Sequence, residues 1–326
     1  MTVLKKVEKL KSPKVGKKAI SMVISVLRYA FFLSFSFVLL YPFLYMFVRS
    51  IMGFLDTYDI TVVWIPKSVY LGNYANAIKV FDFWKSLTNT VVYELVAAFL
   101  EICSCAVAAY GLSRYKFVGK KFLSVLMVLN ILVPSMMLIT TSYVNFSNFD
   151  CFGILSLLSK ITGKKLMLNL IDTPAVFYLP AVLGVGLKGG LFIFIYSQFF
   201  KSFPKELEEA ASIDGAGHWK TFLRIVVPSS GSAIITVVLF ALVWHWNDYY
   251  LAQMYIGNHP TLSMVLNNFS TNTVASKLGI DIALGQRLEV PIMLAGCLLY
   301  LLPLIVIYLF IQKRFINSIT TSGIVG

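Results

Sequence analysis

The chain has 326 residues, of which 58% are hydrophobic and 13% are charged, with a net charge of +13. Soluble domains carry about 25% charged residues, so the composition excludes an ordinary water-soluble protein and indicates an integral membrane protein in contact with lipid. In such a protein, excess positive charge is typical of a basic cytoplasmic face, which we favour over a nucleic-acid partner. The four cysteines lie mostly in apolar runs and lack metal-ligand spacing, so neither a disulfide framework nor a metal site is expected.

Six apolar stretches are long enough to cross a hydrocarbon core about 30 Å thick, which takes about 20 helical residues. They cover residues 22–48, 87–111, 122–144, 176–200, 229–251 and 289–312. We therefore predict an all-α integral membrane protein with six transmembrane helices. Its segments are a basic cytoplasmic N-terminus (1–21), a first transmembrane helix (22–48), an extracytoplasmic segment (49–86), a core with five helices (87–312) and a cytoplasmic tail (313–326). The first apolar run is too long for a cleaved signal peptide.

The distribution of Lys and Arg predicts which side of the membrane each connection faces. With the N-terminus inside, the cytoplasmic segments hold 18 of the 28 Lys and Arg residues, and the opposite segments hold nine. Because cytoplasmic connections carry the excess of Lys and Arg, both termini are expected in the cytoplasm.

Polar residues inside the predicted spans are the first candidates for a transport pathway, because burying them in lipid is costly. Glu94 and Glu101 are seven residues apart on one face of the second span, where we favour a buried polar interface with a neighbouring subunit over a proton path. Lys188 lies among glycines near the middle of the fourth span. It either lines the pathway as a cation or marks a misplaced span boundary, and the sequence leaves both open.

Three weaker pathway candidates are Asn130 in the third span and Trp246 and Asn247 at the end of the fifth. A tryptophan at such a place either stacks on a sugar ring or belongs to the aromatic belt at the membrane interface.

The segment "KELEEAASIDGAGHWKTFLRIVVP" (205–228) is polar in an otherwise apolar chain. Pro204 stops the preceding apolar helix, "KELEEAASID" predicts a short helix with acidic residues at its favourable N-terminal end, and Gly215 and Gly217 predict a break. "HWKTFLRIVV" predicts a second helix, which Pro228 ends. Two helices joined by glycines exceed what a solvated connector needs and are too short for a DNA-reading helix–turn–helix. We therefore favour an element that docks on a cytoplasmic partner.

The same segment resembles the signature E-A-A-x(3)-G-x(9)-I-x-L-P of permease subunits of bacterial ATP-binding-cassette (ABC) importers. It reads Glu209-Ala210-Ala211, Gly215 and Ile225-Val226-Val227-Pro228 here, with Val227 in place of Leu. "AAYGLSRYKFVGKK" (108–121), "WHWNDYYLAQMYI" (244–256) and the tail "IQKRFINSITTSGIVG" (311–326) are similar to segments of sugar permeases, although the tail departs from the pattern at Ser318 and Val325. The chain is identified as a member of the maltose-type carbohydrate importers, as the second permease of the pair.

The resemblance implies a type I ABC importer permease fold with cytoplasmic coupling helices that seat in a cleft of an ATPase dimer. It implies a polar contact from Glu209, close packing at Ala210 and Ala211, and a turn at Gly215. The implied coupling set also contains Asp214, Ile225 and Pro228. A homologous sister permease, an extracytoplasmic sugar-binding protein and a sugar substrate are the other implied partners.

The sequence contains no P-loop, no H-E-x-x-H and no G-x-S-x-G motif, so we expect no catalytic site and no cofactor, and we assign ATP binding to the partner ATPase. Two alternatives stay open. The chain could import a non-sugar solute, or it could be a secondary transporter. The second is disfavoured because the halves 22–144 and 176–312 show no internal repeat.

Overall fold

The computed structural model describes residues 13–151, 153–163 and 166–322. Within these ranges the chain is helical, and extended pairing is limited to two isolated antiparallel bridges, Met52 with Val69 and Phe149 with Leu168. The all-α prediction is confirmed. The first twelve residues of the basic N-terminus and the last four of the tail, including Val325, lie outside the described residues, as does the side chain of Ser318.

The helices follow one another with short connections. They are α1 (Pro13–Ser50), α2 (Phe54–Tyr58), α3 (Gly72–Val80), α4 (Phe83–Arg114), α5 (Lys120–Leu132), α6 (Ser135–Ser147), α7 (Ile154–Thr162), α8 (Ala175–Val182), α9 (Gly189–Ser202), α10 (Lys205–Ile213), α11 (His218–Ser229), α12 (Gly231–Trp246), α13 (Tyr250–Tyr255), α14 (Leu262–Asn267), α15 (Thr271–Leu278) and α16 (Ile282–Ser322). Two of them contain a wider, π-helical turn, at Thr90–Leu95 in α4 and at Phe222–Val226 in α11.

In the described ranges, three helices are by themselves long and apolar enough to cross a membrane: Ile20–Ser50, Phe83–Arg114 and Ile282–Lys313. The count rises to five if each of two bent pairs, α5 with α6 and α11 with α12, forms one span. The chain is therefore a multi-pass membrane protein by helix length and composition, while the count of six spans stays a prediction.

The fourth predicted span, 176–200, is not one helix. Its two parts, α8 and α9, are separated by a non-helical turn over residues 183–188, and Gly184 in that turn has a φ of +71°. This left-handed backbone suits glycine and ends α8. The prediction of a continuous helix here is wrong, because the glycines of this stretch permit a turn that its apolar composition conceals.

Two other predicted spans also differ from the structure. The third, 122–144, is bent by 107° between α5 and α6, at Pro134, which has no N–H to donate and has a fixed φ. The sixth, 289–312, lies inside the longer helix α16, which passes through both predicted boundaries and contains Pro291 and Pro303.

The largest hydrophobic core forms where α4, α9 and α12 pack together. Buried side chains in it include Ala98, Cys105, Ala109, Phe192, Tyr196, Val237 and Ala241. Small residues on α4 let the neighbouring helices approach closely, as is typical of helix packing in membranes. By contrast, α5, α6 and α7 contain no buried residue. These three helices therefore form an outer layer of the chain.

Candidate functional site

The polar segment 205–228 folds as two helices joined by a glycine turn, as predicted. Helix α10 follows Pro204, with Glu206 and Glu208 in its first turn. Gly215 has a φ of +76°, in the left-handed region that glycine adopts without strain. The sequence prediction of a turn at this residue is confirmed.

An ion pair fastens α10 to the end of α4. Arg114 Nε lies 2.8 Å from Glu208 Oε1, an ion pair rather than a hydrogen bond by its geometry. The Tyr110 hydroxyl donates to Glu208 Oε2 at 3.2 Å, and the Arg114 guanidinium donates to the backbone carbonyl of Phe203. The arginine side chain is 6% exposed. A force on α10 is therefore transmitted directly to α4.

Sequence reasoning singled out Glu209 and missed Glu208. Glu208 lies on the same face as Ala211, three residues later, and this face turns toward the chain: Ala211 is buried. Glu209 and Ala210 are exposed on the other side. The available signal was the spacing of three residues, which places the carboxylate of Glu208 and the small side chain of Ala211 on one helical face.

The other members of the predicted coupling set are distributed over both sides of the segment. Asp214 and Gly215 are exposed, Ile225 is half-buried and Pro228 is exposed. Ala211 is buried within this chain, and its role toward an ATPase stays a prediction. Helix α11 ends at Ser229, one residue after Pro228, and the chain then bends by 79° into α12.

Aromatic rings at the end of α4 pack against one side of α11. The ring of Phe222 lies 4.8 Å from that of Tyr110, centroid to centroid, and the ring of His218 lies 5.3 Å from that of Tyr115. On the opposite side, Trp219 and Leu223 are 65% and 59% exposed. The segment is thus held by α4 and still presents an outer surface with exposed apolar side chains beside charged residues of both signs.

The predicted pathway residue Lys188 lies in the turn before α9 rather than within a helix, so only the prediction that a continuous helix surrounds it is wrong. Its ammonium Nζ lies 5.4 Å from the ring centroid of Trp244, a cation–π arrangement. Its backbone N–H donates to Glu101 Oε1 at 3.3 Å. A Cβ atom on Gly186 would lie 2.7 Å from the Glu101 carboxyl carbon. The turn therefore wraps the carboxyl group closely.

Glu94 and Glu101 lie on one face of α4, as predicted, and both bind the same histidine. His245 Nδ1 lies 3.0 Å from Glu94 Oε2, and His245 Nε2 lies 2.9 Å from Glu101 Oε2. The three residues are buried to 2% exposure or less. Their hydrogen bonds are thus made within the chain and need no neighbouring subunit.

We call these three residues the Glu–His–Glu triad. Each nitrogen–oxygen contact requires one hydrogen atom between its two atoms, so the three side chains form one hydrogen-bonded unit. His245 was missed by sequence reasoning. The available signal was the rule that ionisable groups inside membrane helices pair with one another.

Asn130 fastens α5 to the start of α9. Its Oδ1 accepts from the Gly190 N–H at 2.8 Å, and a Cβ atom on Gly190 would lie 2.6 Å from that oxygen. Trp246 is 1% exposed, and its ring centroid lies 5.8 Å from that of Tyr300. It is therefore a core residue and neither a sugar platform nor part of an interfacial belt. Asn247 is exposed beside it.

A cavity of about 160 Å³ opens where α6, α8 and α12 diverge. Its lining includes Asn130, Ser135, Ser142, Phe146, Phe177, Gly186, His245 and Tyr255. It brings together Asn130 and the triad histidine, and it does not include Lys188, Trp246 or Asn247. Hydroxyl, amide and aromatic groups in one concave site are the combination that small polar ligands use.

Comparison with known proteins identifies the family of the chain. Residues 103–321 match the model of the family described as "Binding-protein-dependent transport system inner membrane component". The chain belongs to this family. It is the permease subunit of an ABC importer, and a multi-pass protein of the bacterial inner membrane.

Relatives of this permease have several named substrates. It is 27% identical to the maltodextrin transport system permease MdxG of Bacillus subtilis, over 73% of this chain and 74% of that one. It is 25% identical to the trehalose transport system permease SugB of Mycobacterium tuberculosis, over 80% and 84%. It is 26% identical to the osmoprotective compounds uptake permease GgtD of Synechocystis, over 90% and 89%.

The fold of the permease is also known from a solved structure. A chain of a bacterial ABC transporter that imports the acidic polysaccharide alginate matches with a TM-score of 0.66 at 19% identity, covering 90% of this chain and 97% of that chain. The predicted ABC importer permease fold is therefore confirmed.

Proposed function

We propose that this permease forms half of the translocation pathway of an ATP-driven importer for a sugar or oligosaccharide. A homologous sister permease supplies the other half, an extracytoplasmic binding protein delivers the substrate, and a cytoplasmic ATPase dimer hydrolyses ATP. Both termini face the cytoplasm. The relatives that transport maltodextrin and trehalose support the sugar class.

The observation that carries this proposal is the ion pair between Glu208 and Arg114. It couples the double helix 205–228 to the cytoplasmic end of α4. About three and about five turns from the opposite end, α4 carries Glu94 and Glu101. Both bind His245 on α12. Movement of α10 by an ATPase therefore reaches the cavity through one continuous helix. This arrangement suits a coupling element and has no use in a secondary transporter.

The outer surface of the double helix supplies the contact with the ATPase. Glu209 offers a carboxylate for a charge-assisted hydrogen bond, which contributes about 1.5–3 kcal/mol. Trp219 and Leu223 offer exposed apolar area beside it. Asp214 and Gly215 lie at the tip between the two helices.

Reconstitution tests the function as a whole. The permease is purified with its sister permease and ATPase, inserted into liposomes and mixed with binding protein carrying candidate solutes. We expect ATP hydrolysis and uptake to rise with a saccharide-loaded binding protein. Stimulation only by a non-sugar solute would refute the sugar class, and uptake without an ATPase would refute the proposal.

Substitutions on the double helix test the coupling role. Glu209→Lys and Gly215→Asp are expected to leave the subunit in the membrane and to uncouple ATP hydrolysis from uptake. Losing the Glu209 contact alone weakens ATPase binding by about 10- to 150-fold. Glu206→Lys is the matched control, because it makes the same charge change at an exposed residue of the same helix. Normal uptake by both test variants would contradict this role.

A further inference from the structure

Helix α7 presents its apolar side chains to the outside of the protein. Ile154, Leu157, Leu158 and Ile161 follow the i, i+3, i+4, i+7 spacing of one helical face. They are 62%, 62%, 44% and 74% exposed. A helix on a water-exposed surface has the reverse arrangement, with its apolar face turned toward the core.

The polar side of α7 is tied to its own connection, which fixes this orientation. The Ser156 backbone N–H and hydroxyl both donate to the Asp150 carboxylate. The Leu166 N–H donates to Ser159 Oγ at 2.8 Å. Because both serines bond to residues that flank α7, the side of the helix opposite its apolar face is already occupied within the connection.

The base of this connection lies at the end of the helix bundle where α4 begins. The Leu170 N–H donates to the Phe146 carbonyl at 2.9 Å, and the Asp172 N–H donates to the Tyr255 carbonyl at 2.8 Å. Shortly after Tyr255, the Pro260 carbonyl accepts from Asn89 Nδ2 at 2.9 Å. Asn89 is six residues, about 9 Å, from the first residue of the membrane-spanning helix α4. Helix α7 is therefore attached at the same end of the bundle as the first turns of α4.

The charge around the apolar face indicates what covers it. Residues 151–168 contain three lysines and no Asp or Glu. Lys160 is exposed beside the apolar face. Apolar residues with lysine at the polar edge are typical of helices that lie in the interface of a bilayer and are attracted to anionic lipids.

We propose that α7 lies in the headgroup region of the bilayer, with its four exposed aliphatic side chains in contact with acyl chains and Lys160 near anionic phospholipid headgroups. The connection between α6 and α8 is then a membrane-surface anchor beside the transport cavity. This proposal is independent of the transported solute.

The test uses the complete importer in nanodiscs made with ordinary or acyl-brominated phospholipid, since bromine quenches tryptophan only on contact. Leu157→Trp adds one tryptophan to the five native ones. We expect bromolipid to reduce the added emission, because an interfacial side chain contacts the acyl chains. The control Asn272→Trp, at an exposed position on α15, should lose none of its added emission.

A second arm varies the lipid charge. Raising the fraction of phosphatidylglycerol should increase the quenching of the tryptophan in Leu157→Trp. The double variant Leu157→Trp with Lys160→Glu should not show that increase. Unquenched emission from Leu157→Trp in every lipid would overturn the proposal. Protection of this tryptophan only after addition of the binding protein would also overturn it, and would assign the apolar face to a protein partner.

Discussion

The Glu–His–Glu triad makes the sharpest prediction about the permease, because its two carboxyl groups depend on one histidine. The substitution His245→Leu keeps most of the side-chain volume and removes both hydrogen bonds. Glu94 Oε1 already has no hydrogen-bond partner, so after the substitution both carboxyl groups are buried without a donor side chain between them.

The magnitude follows from the burial. Removing one partner of a buried ionic group costs about 3–5 kcal/mol, because the remaining charge cannot reach water. For a chain of this size, about 2 °C of melting temperature is lost for each kcal/mol, so His245→Leu should lower it by about 6–10 °C. Combining His245→Leu with Glu94→Gln and Glu101→Gln should restore most of this loss, since neutral groups carry no unpaired charge.

Thermal unfolding of the purified subunit in detergent measures this cost. Unfolding is followed with a thiol-reactive maleimide dye, which becomes fluorescent as buried Cys105 is exposed, after exposed Cys103 has been blocked in the folded protein. A melting temperature of His245→Leu within about 1 °C of the parent would refute the reasoning, since about 2 °C corresponds to one kcal/mol. Equal losses in the single and triple variants would show that packing, and not unpaired charge, sets the cost.

Two glycines are predicted to be intolerant of a side chain for different reasons. Gly190→Ala places a Cβ atom 2.6 Å from Asn130 Oδ1, so it should lower the melting temperature by several degrees, whereas Gly111→Ala, which meets no atom within 4 Å, should not lower it. Gly215→Ala forces alanine into a left-handed backbone and should cost about 1–2 kcal/mol, which lowers the melting temperature by about 2–4 °C and should reduce coupled uptake. Gly231→Ala, with open space and a helical backbone, should leave uptake unchanged, and equal uptake by the two variants would contradict the role of the turn.

Local chemistry explains why the double helix 205–228 was predictable. Pro204, the acidic first turn of α10 and Gly215 are signals that act within a few residues, so the double helix and its turn followed from the sequence. The direction of each face did not. Which of two neighbouring glutamates turns inward depends on Arg114, about 90 residues earlier in the chain, and only the packing of α10 on α4 places that arginine.

The interior of the membrane domain was less predictable. Composition and periodicity indicated helices of membrane-spanning length, but they could not show that residues 183–188 leave the helix. This turn is stabilised by contacts with Glu101, a residue 87 positions away from Lys188. The sequence pattern does not reveal such contacts, because apolar glycine-rich stretches fit both a helix and a turn.

The sequence by itself determined the class of this protein, because a bilayer imposes apolar helices on any chain that crosses it. It also determined the double helix 205–228, because capping and glycine signals are local. The tertiary structure decided which polar groups meet. Glu94 and Glu101 bind His245, about 150 residues later on another helix, and this pairing exists only once α4 and α12 are packed side by side. It also decided that the apolar face of α7 is exposed, since the sequence of this helix fits either orientation.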